Sequence, residues 1–551
     1  MSLQWRRKML YKRAKQNEKK EYILSDSYKE QVCKHAYLGK KGYTIPKSIL
    51  EEKDLHNLYD VLNVKPMNSS VLYGAAVDEG SFPVYRENDK KIYIPRFFGI
   101  ERYGMVHKSE ITEGDSISLE FPKSLRDYQE KIVNVYMENI DKPICIGSTK
   151  KGNGGILEVP CGRGKTVMAL KIISNVGKKT LIIVHKEFLM NQWIERIEEF
   201  LPGAKVGKIQ GSTFDVDGKD IVIGMLQTLY DRALPENAFD SFGLTIVDEV
   251  HRIGSEQFSK TLLRVVMPNM LGISATVDRK DKLTCVLYMF IGPKIYTEQR
   301  KDEDPVCVRS LEYISTDSEF NETEYDFKGQ AKYSTMISKL CDFGPRSDFI
   351  VKVLQDLIEE SKNNNDEAQI MVLAHNRSLL KYFYEAILHR KFASVGFYVG
   401  GMKQGDLQET EGKQIVLATY AMAAEALDIK TLSILVMATP KTDITQSVGR
   451  ILRVRHDNPV VVDIVDHHDV FQKQWKQRKT FYRKCNYKIV SSDSIQYKTM
   501  SLDWKNDNTW STVFEPKKGK YYDNDDCTGG NPLLKKKCLI SIADLDLTES
   551  R

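Results

Sequence analysis

Short, continuous apolar runs separated by polar loops and helical segments dominate the middle of the chain. Between residues 125 and 297 these runs are GILEVP, TLIIVH, IVIGM, LTIVDE and MLGISAT. A second series, IMVLAH, VGFYVG, QIVLATY, LSILVMA and PVVVDIVD, follows between residues 347 and 468. Runs of this length without polar alternation are typical of strands buried on both faces of a parallel sheet. The pattern therefore predicts two α/β domains in tandem.

The chain before these runs has a different pattern. Its first stretch, QWRRKMLYKRAKQNEKKEY, is basic and lacks an apolar stripe, so it fits either a solvated tail or an arm that contacts phosphates. Beyond it, SFPVYREN, KKIYIPRF and SISLEFP have the pattern of short strands, and SILEEKDLHNLYDVL has that of a helix. These elements predict a small α+β domain.

Two stretches of this small domain mix basic and aromatic side chains. They are KKGY at residues 40–43 and RFFG at residues 96–99. Aromatic rings stack on bases and cations hold phosphates, so the two stretches favour a nucleic-acid face. Ordinary surface and core explain the same residues equally well. DNA binding by this domain is therefore one of two open hypotheses.

Composition limits the class of protein without identifying it. The 551 residues carry a net charge of +6 and are 41% hydrophobic, as in an ordinary globular protein. No apolar run reaches the ~18 residues of a membrane span, and the basic start lacks the apolar segment of a secretory signal. The nine cysteines form no CxxC pair, which disfavours zinc and favours a reducing, intracellular compartment. The mild positive charge is compatible with a polyanionic partner.

A glycine-rich loop lies between the first apolar run and a helical segment. Its residues are Pro160, Cys161, Gly162, Arg163, Gly164, Lys165 and Thr166. Glycines let successive backbone N–H groups point at phosphates, and the following helix presents its positive end to them. Lys165 is placed to charge-pair with the β- and γ-phosphates, and Thr166 to offer a hydroxyl to Mg²⁺. The first glycine of the longer P-loop pattern GxxxxGK[ST] is missing here, but GxGKT is intact, so we predict an ATP site.

An acidic pair ends the fourth apolar run. Asp248 and Glu249 follow the strand directly, and Val250 and His251 complete the sequence DEVH. Ligands of open α/β sheets bind at the carboxyl ends of the strands. Asp248 is therefore predicted to hold Mg²⁺, and Glu249 to orient and deprotonate the attacking water. A lone DExH would fit a solvated turn, but together with the P-loop it predicts ATP hydrolysis.

The P-loop and DEVH resemble motifs I and II of the superfamily 2 helicases, and other motifs of that family stand in the expected order. QSVGRILR at residues 446–453 resembles motif VI. Ser274, Ala275 and Thr276 resemble motif III, which couples the ATP state to the grip on nucleic acid. LRDYQ, upstream of the P-loop, resembles the segment that recognises adenine, which implies that role for Arg126 and Gln129. The resemblance covers residues 125–453.

Motif VI implies a role for the second domain. Its arginines would complete the ATP site by stabilising the charge that develops on the γ-phosphate. The resemblance assigns this role to Arg450 and Arg453, which are one helical turn apart. Asp428 resembles the motif V acid near the ribose, although alanine precedes LDI where the family has glycine. His251 and Gln446 join the SAT residues in the predicted coupling set.

The resemblance also implies a nucleic-acid track across both domains. Loops at the carboxyl ends of the strands present amides, hydroxyls and cations along one edge of the cleft. For any single residue, capping its own strand is an equally good explanation. The predicted contacts are His185, Lys186, Gln227, Thr228, His375, Asn376, Arg377 and Thr419. Trp193, in LMNQW, is expected in the core rather than as a platform for bases.

The predicted fold class is α/β, with two tandem RecA-like parallel-sheet domains, a small α+β N-terminal domain and a short C-terminal extension. The first RecA-like domain, which binds ATP, spans residues 119–300, and the second spans 347–480. The other predicted segments are a basic segment at 1–24, the small domain at 25–118, a linker at 301–346 and a partly disordered extension at 481–551.

Within superfamily 2, VHKEFLMNQW, IGMLQTL and ATYAMAAEALDI are most similar to the branch that holds XPB-type, UvsW-type and poxviral transcript-release helicases. The resemblance implies a 3′→5′ DNA helicase or translocase that uses ATP and Mg²⁺ in DNA repair, recombination, replication or transcription. A source in a large DNA virus would place it in the nucleus or a cytoplasmic replication site. An RNA helicase and a motor subunit of a larger nucleic-acid-processing assembly are the alternatives.

Overall fold

The structure is a computed structural model. It describes residues 22–66, 80–160, 162–235, 237–250, 256–279, 281, 283–298, 306–327, 329–363, 368–425, 429, 431–444, 447–449, 456, 459–498 and 510–516. The basic segment predicted at 1–24 and the end of the predicted C-terminal extension lie almost wholly outside these ranges. The described chain forms a small N-terminal domain and two lobes, each built on an eight-stranded sheet.

The N-terminal domain packs helices against a four-stranded antiparallel sheet. Its elements are α1 (Asp26–His35), β1 (Tyr37–Gly39), β2 (Gly42–Pro46), a 3₁₀ turn (Lys47–Ile49), α2 (Glu52–Leu62), β3 (Asn63–Val64), β4 (Phe82–Pro83), β5 (Arg86–Glu87), β6 (Lys91–Ile94) and α3 (Arg96–Tyr103). The sheet order is β1-β2-β6-β5, and β3 pairs separately with β4. Alternate side chains of β6, Ile92 and Ile94, are fully buried, so the strand predicted from KKIYIPRF is confirmed. The strands β1 and β2 were not predicted from the sequence.

The prediction of a strand over residues 116–122 is wrong. This segment makes a single bridge, between Ser116 and Lys178. Its backbone instead bonds to Gly177, which follows the P-loop helix, because the Ile117 N–H donates to the Gly177 carbonyl at 2.9 Å. The apolar residues of the segment therefore cover lobe one without joining a sheet.

The second basic and aromatic stretch begins α3, and its arginine packs inside the protein. Arg96 is 4% exposed. Its guanidinium donates to the carbonyl oxygens of Met267, Pro268 and Gly152 at 3.1, 2.8 and 3.0 Å. In the first stretch, Tyr43 is fully buried and cannot stack on a base. The arginine therefore docks the small domain onto lobe one.

Lobe one is a mostly parallel sheet with helices on both faces. Its elements are α4 (Asp127–Ile140), β7 (Gly154–Glu158), α5 (Lys165–Val176), β8 (Thr180–Val184), α6 (Glu187–Phe200), β9 (Val206–Gln210), β10 (Thr213–Phe214), β11 (Ile221–Met225), α7 (Leu226–Asp231), β12 (Leu244–Asp248), α8 (Glu256–Leu262), β13 (Asn269–Ser274), α9 (Thr284–Ile291) and β14 (Lys294–Thr297). The order is β10-β9-β11-β8-β12-β13-β7-β14, and within it β9 and β10 pair antiparallel. All five apolar runs of this region form strands, as predicted.

The two faces of this sheet have separate cores. Along β8, Leu181 and Ile183 belong to the apolar cluster that continues into the N-terminal domain. Ile182 and Val184 face the opposite cluster, formed with α4, α5 and α6. Burial on both faces explains why these strands are continuously apolar.

Lobe two repeats this architecture. Its elements are β15 (Cys307–Tyr313), α10 (Ser318–Asn321), α11 (Tyr333–Asp342), α12 (Gly344–Asn363), β16 (Gln369–Ala374), α13 (Arg377–Arg390), β17 (Val395–Tyr398), α14 (Gln404–Glu411), β18 (Ile415–Thr419), α15 (Tyr420–Glu425), β19 (Leu432–Met437), β20 (Val460–Asp466), α16 (Asp469–Lys484), β21 (Lys488–Asp493), a 3₁₀ turn (Gln496–Lys498) and β22 (Ser511–Phe514). The order is β17-β18-β16-β19-β20-β15-β21-β22, and within it β21 and β22 pair antiparallel. None of the described helices is both long and apolar enough to cross a bilayer.

The prediction of a linker over 301–346 is wrong for its central part. The strand β15 lies inside the second sheet, with β20 on one side and β21 on the other. Arg309 and Glu312 interrupt its apolar run, which hid the strand from pattern analysis. Arg309 is buried, but its guanidinium pairs with Glu360 of α12 at 2.6 Å. The strands β21 and β22 likewise carry the sheet into the segment predicted as an extension.

Candidate active site

The loop between β7 and α5 has the backbone of a phosphate-binding loop. Gly162 and Gly164 have positive φ angles of 83° and 79°, a region that favours glycine. A Cβ at Gly164 would also lie only 2.4 Å from Nε2 of Gln129. The helix α5 begins at Lys165, so its first N–H groups are directed toward the loop.

The structure brings the P-loop lysine and the acidic pair together. Lys165 Nζ lies 3.5 Å from Glu249 Oε1. Asp248 ends β12, and its Oδ1 accepts a hydrogen bond from the Glu249 N–H at 2.9 Å. Glu249 has a φ of 49°, unusual for a residue other than glycine, at a cost of about 1–3 kcal/mol. This strained backbone turns the Glu249 carboxylate toward the lysine and the loop.

Asp248 and Glu249 place two acidic side chains beside Lys165. Burial, and then the charge of Glu249, raise the pKa of Asp248 to about 6, while Lys165 acts in the opposite direction. The half-buried hydroxyl residue Thr166 follows Lys165 in the first turn of α5. Carboxylate and hydroxyl oxygens are ligands that suit a hard divalent cation such as Mg²⁺.

The segment LRDYQ is attached to the P-loop backbone. Gln129 Oε1 accepts from the Arg126 N–H at 3.0 Å, and its Nε2 donates to the Arg163 carbonyl at 3.1 Å. The Arg163 guanidinium lies 4.1 Å from the ring centroid of Tyr128. Its Nε also donates to Glu298 Oε1 at 3.0 Å. Glu298 follows β14, and nothing in the sequence pattern pointed to this contact.

The SAT residues lie beside the strand that leads to the P-loop, because β13 pairs with β7. Ser274 Oγ donates to the Thr276 carbonyl at 2.6 Å, which closes a tight turn. The next N–H, of Val277, donates to Glu158 Oε1 at 2.8 Å. Glu158 is the last residue of β7, so it joins motif III to the start of the P-loop. Sequence analysis missed this residue.

The predicted nucleic-acid contacts of lobe one lie together. His185 and Lys186 follow β8, while Gln227 and Thr228 begin α7 directly after β11, the strand next to β8. Gln227 is exposed, and its Nε2 donates to the His185 carbonyl at 3.2 Å. Thr228 Oγ1 accepts from the Gly211 N–H at 3.0 Å, so this hydroxyl also holds its own loop.

The predicted contacts of lobe two also end neighbouring strands. His375, Asn376 and Arg377 follow β16, and Thr419 ends the adjacent strand β18. Arg377 is exposed, and its Nη2 donates to the Gly400 carbonyl at 2.5 Å. These loops lie at the same edge of their sheet, as predicted.

His375 has a partner within lobe two. Its Nδ1 lies 2.8 Å from Thr439 Oγ1, and its ring centroid is 4.9 Å from that of Tyr420. Burial, and then the charge of Lys441, lower the pKa of His375 to about 4. The ring is therefore neutral near pH 7 and lacks the charge that a phosphate contact would use.

Six of the predicted site residues lie outside the described residues. They are Cys161, His251, Asp428, Gln446, Arg450 and Arg453. The described chain that leads toward motif VI is held closely. The four consecutive carbonyls of residues 438–441 each accept a hydrogen bond, at 2.5 to 3.2 Å, from a different side chain. In the order of the acceptors, the donors are Arg346, Tyr420, Tyr333 and Arg478.

Comparison with known proteins agrees with this site. The family model described as "Type III restriction enzyme, res subunit" matches residues 122–279, which hold the P-loop, DEVH and SAT. The relative named "Putative ATP-dependent RNA helicase L396", from Acanthamoeba polyphaga mimivirus, is 32% identical over 469 residues, 83% of this chain and 87% of the relative. QP509L of African swine fever virus, which bears the same functional name, is 27% identical over 487 residues, 82% and 91% of the two chains.

A cellular relative matches a shorter region. XPB2 of Sulfurisphaera tokodaii, named a DNA 3′-5′ translocase, is 32% identical over 211 residues, 36% of this chain and 43% of that protein. The mimiviral relative, in contrast, is similar over most of both chains. Together with the paired sheets and the lysine–carboxylate site, this similarity shows that the chain belongs to the superfamily 2 helicases, ATP-dependent enzymes with relatives in large DNA viruses.

Proposed function

We propose that the protein is an ATP-driven DNA helicase or translocase that moves 3′→5′. The observation that carries the motor function is the convergence of Lys165, Asp248 and Glu249 at the carboxyl ends of β7 and β12. The choice of DNA and of direction draws support from the similarity to XPB2, whose name states both. The proposed setting is DNA repair, recombination, replication or transcription in a cell infected by a large DNA virus.

Each charged group of the site has a role in this proposal. Lys165 binds the β- and γ-phosphates, and the N–H groups of the loop surround them. Glu249 accepts a proton from the attacking water, and its strained backbone holds the carboxylate in position before ATP arrives. On binding, the phosphates draw Lys165 toward themselves, which frees Glu249 to act as the base.

Mg²⁺ fits the oxygen ligands described above, and Asp248 and Thr166 would hold it. When bound, the ion would supply positive charge against the charge that develops on the phosphates. Arg450 and Arg453 are the proposed arginine fingers, supplied by lobe two. ATP would therefore favour closure of the two lobes, and hydrolysis would release it.

The proposed track runs along the strand ends of both lobes. On lobe one it passes His185, Lys186, Gln227 and Thr228, which lie on two adjacent loops. On lobe two, the exposed Arg377 offers a charge, whereas the neutral His375 offers a hydrogen bond at most. Such contacts bind the phosphate backbone without selecting a sequence.

An RNA helicase is the second candidate. The names of the mimiviral and African swine fever virus relatives favour it, since both are called RNA helicases. The site geometry supports ATP hydrolysis for either nucleic acid.

The experiment that separates these functions is a steady-state ATPase assay. It compares no nucleic acid with single-stranded, duplex and branched DNA and with single-stranded RNA, using Glu249→Gln as the inactive control. Stronger stimulation by DNA than by RNA supports the proposal, and displacement of streptavidin from one labelled end then gives the direction. Stimulation by RNA alone would overturn the choice of DNA. No ATPase activity under any condition would overturn the motor function itself.

A further inference from the structure

The indole of Trp193 donates a hydrogen bond to the acidic pair. Its Nε1–H lies 3.0 Å from Asp248 Oδ2, while the other oxygen, Oδ1, accepts from the Glu249 N–H at 2.9 Å. Both oxygens of Asp248 are thus held by donors that carry no charge. These two bonds fix the rotation of the carboxylate, which a single donor would leave free.

The indole is packed tightly in the core of lobe one. Trp193 is 2% exposed and lies in α6, within the apolar cluster that packs this helix against the sheet. Met190 and Ile197, one turn on either side, are buried in the same cluster. An indole N–H is a donor only, so its direction is set entirely by how the ring packs. The core of lobe one therefore determines where Asp248 Oδ2 is held.

We propose that Trp193 is a positioning residue for the magnesium carboxylate Asp248, an inference that rests on the proposed function. The indole N–H occupies one lone pair of Oδ2 and turns the carboxylate so that its remaining lone pairs face the P-loop. It also holds Asp248 in place against repulsion from Glu249. Groups that orient a metal ligand in this way change metal affinity by about 10–100-fold in other proteins.

Simple packing is the competing explanation. A buried tryptophan needs an acceptor, and Asp248 could be the nearest one without any effect on function. Trp193→Phe separates the two, because phenylalanine keeps an aromatic ring in the cluster but has no N–H. Trp475→Phe is the matched control, since Trp475 is half-buried in α16 of lobe two, away from the acidic pair.

The first readout is the Mg²⁺ concentration that half-saturates binding of fluorescent methylanthraniloyl-ADP. We expect this concentration to rise at least about tenfold in Trp193→Phe and to stay the same in Trp475→Phe. In the ATPase assay, kcat should fall more than KM for ATP changes. A Mg²⁺ requirement within twofold of the original protein, in a Trp193→Phe variant that unfolds at a similar temperature, would overturn the proposal.

The second readout does not depend on the stability of that variant. In protein labelled with ¹⁵N-tryptophan, the indole resonance of Trp193 should shift on addition of Mg²⁺ and ADP, and again in Asp248→Asn. The resonance of Trp475 should stay in place. A Trp193 resonance that shifts neither on addition of Mg²⁺ and ADP nor in Asp248→Asn would overturn the inference. Loss of the inference leaves the proposed function intact if wild-type ATPase is Mg²⁺-dependent, whereas absent wild-type ATPase contradicts the function itself.

Discussion

The two lobes bury aspartates in a central strand of similar sheets, but they surround them differently. In lobe two, Asp466 at the end of β20 accepts from Arg346 Nε and Nη2 at 2.6 and 2.8 Å, and both side chains are fully buried. Arg478 likewise donates from Nε and Nη2 to the two carboxylate oxygens of Asp463, at 2.7 and 2.9 Å. In lobe one, Asp248 accepts hydrogen bonds from the Trp193 indole N–H and the Glu249 N–H, and Glu249 Oε1 lies 3.5 Å from Lys165 Nζ.

This difference separates structural acids from acids that are available for chemistry. A guanidinium that donates to both oxygens of a carboxylate also neutralises its charge. The paired aspartates of lobe two therefore link parts of the fold and are not available as reactive groups. In lobe one the donors to the two oxygens of Asp248 are an indole N–H and a backbone N–H, which carry no charge and leave the carboxylate able to bind a cation. The partner of a buried acid, rather than its position in the sheet, therefore indicates its role.

The largest expected effect is on turnover. Glu249→Gln removes the proposed base while keeping the shape of the side chain, so kcat should fall by about 10²–10⁴-fold with little change in ATP affinity. The matched control is Glu360→Gln, which alters an acid of lobe two that pairs with Arg309. Steady-state ATPase and nucleotide binding measure both variants. Undiminished turnover in Glu249→Gln would remove the distinction between the lobes.

The next effect is on stability. Asp466→Ala leaves the Arg346 guanidinium buried without its partner, which should lower the free energy of unfolding by about 3–5 kcal/mol. Replacing both residues by apolar ones, Arg346→Met with Asp466→Leu, should recover part of that loss. Urea denaturation followed by circular dichroism measures both. A loss below about 1 kcal/mol in the single variant would show that the pair is not structural.

Removal of the acidic charge of Asp248, in lobe one, should raise the free energy of unfolding rather than lower it. The pKa of Asp248, about 6, lies above its ordinary value, so the folded protein holds this proton more tightly than the unfolded chain. The stabilisation is complete below pH ~4 and is lost as the pH rises through ~6. Without Mg²⁺, Asp248→Asn should therefore be more stable than the original protein by about 1–3 kcal/mol at pH 7.5.

The pH dependence provides the check on that prediction. Thermal unfolding of Asp248→Asn and the original protein, both in EDTA, should converge as the pH falls from about 7.5 toward 4. An advantage for the variant that does not vary with pH would show that the titration of Asp248 is not its source.

The smallest effect should come from an exposed pair. Lys40 of the N-terminal domain bonds Asp240 of lobe one at 2.5 Å, but the two side chains are 48% and 35% exposed. Lys40→Ala should change the free energy of unfolding by less than about 1 kcal/mol, and less again in high salt. A loss as large as that of Asp466→Ala would mean that burial does not explain the strength of these pairs.

The sequence by itself determined the elements whose signal is local. Apolar runs located five strands in each of the two large sheets, because strands buried on both faces contain few polar residues. GxGKT placed the loop and the start of α5, since its glycines adopt positive φ angles and a helix follows. DEVH after an apolar run placed the acidic pair at a strand end. These predictions needed no knowledge of distant contacts.

Only the tertiary structure decided which distant side chains meet. Trp193 and Asp248 are 55 residues apart, Arg346 and Asp466 are 120 apart, and Arg163 and Glu298 are 135 apart. The strand β15 escaped prediction for the same reason, because Arg309 looks like a surface residue until Glu360 is placed beside it. The order of strands in each sheet creates these pairs, and a buried polar group is tolerated only once its partner is in place.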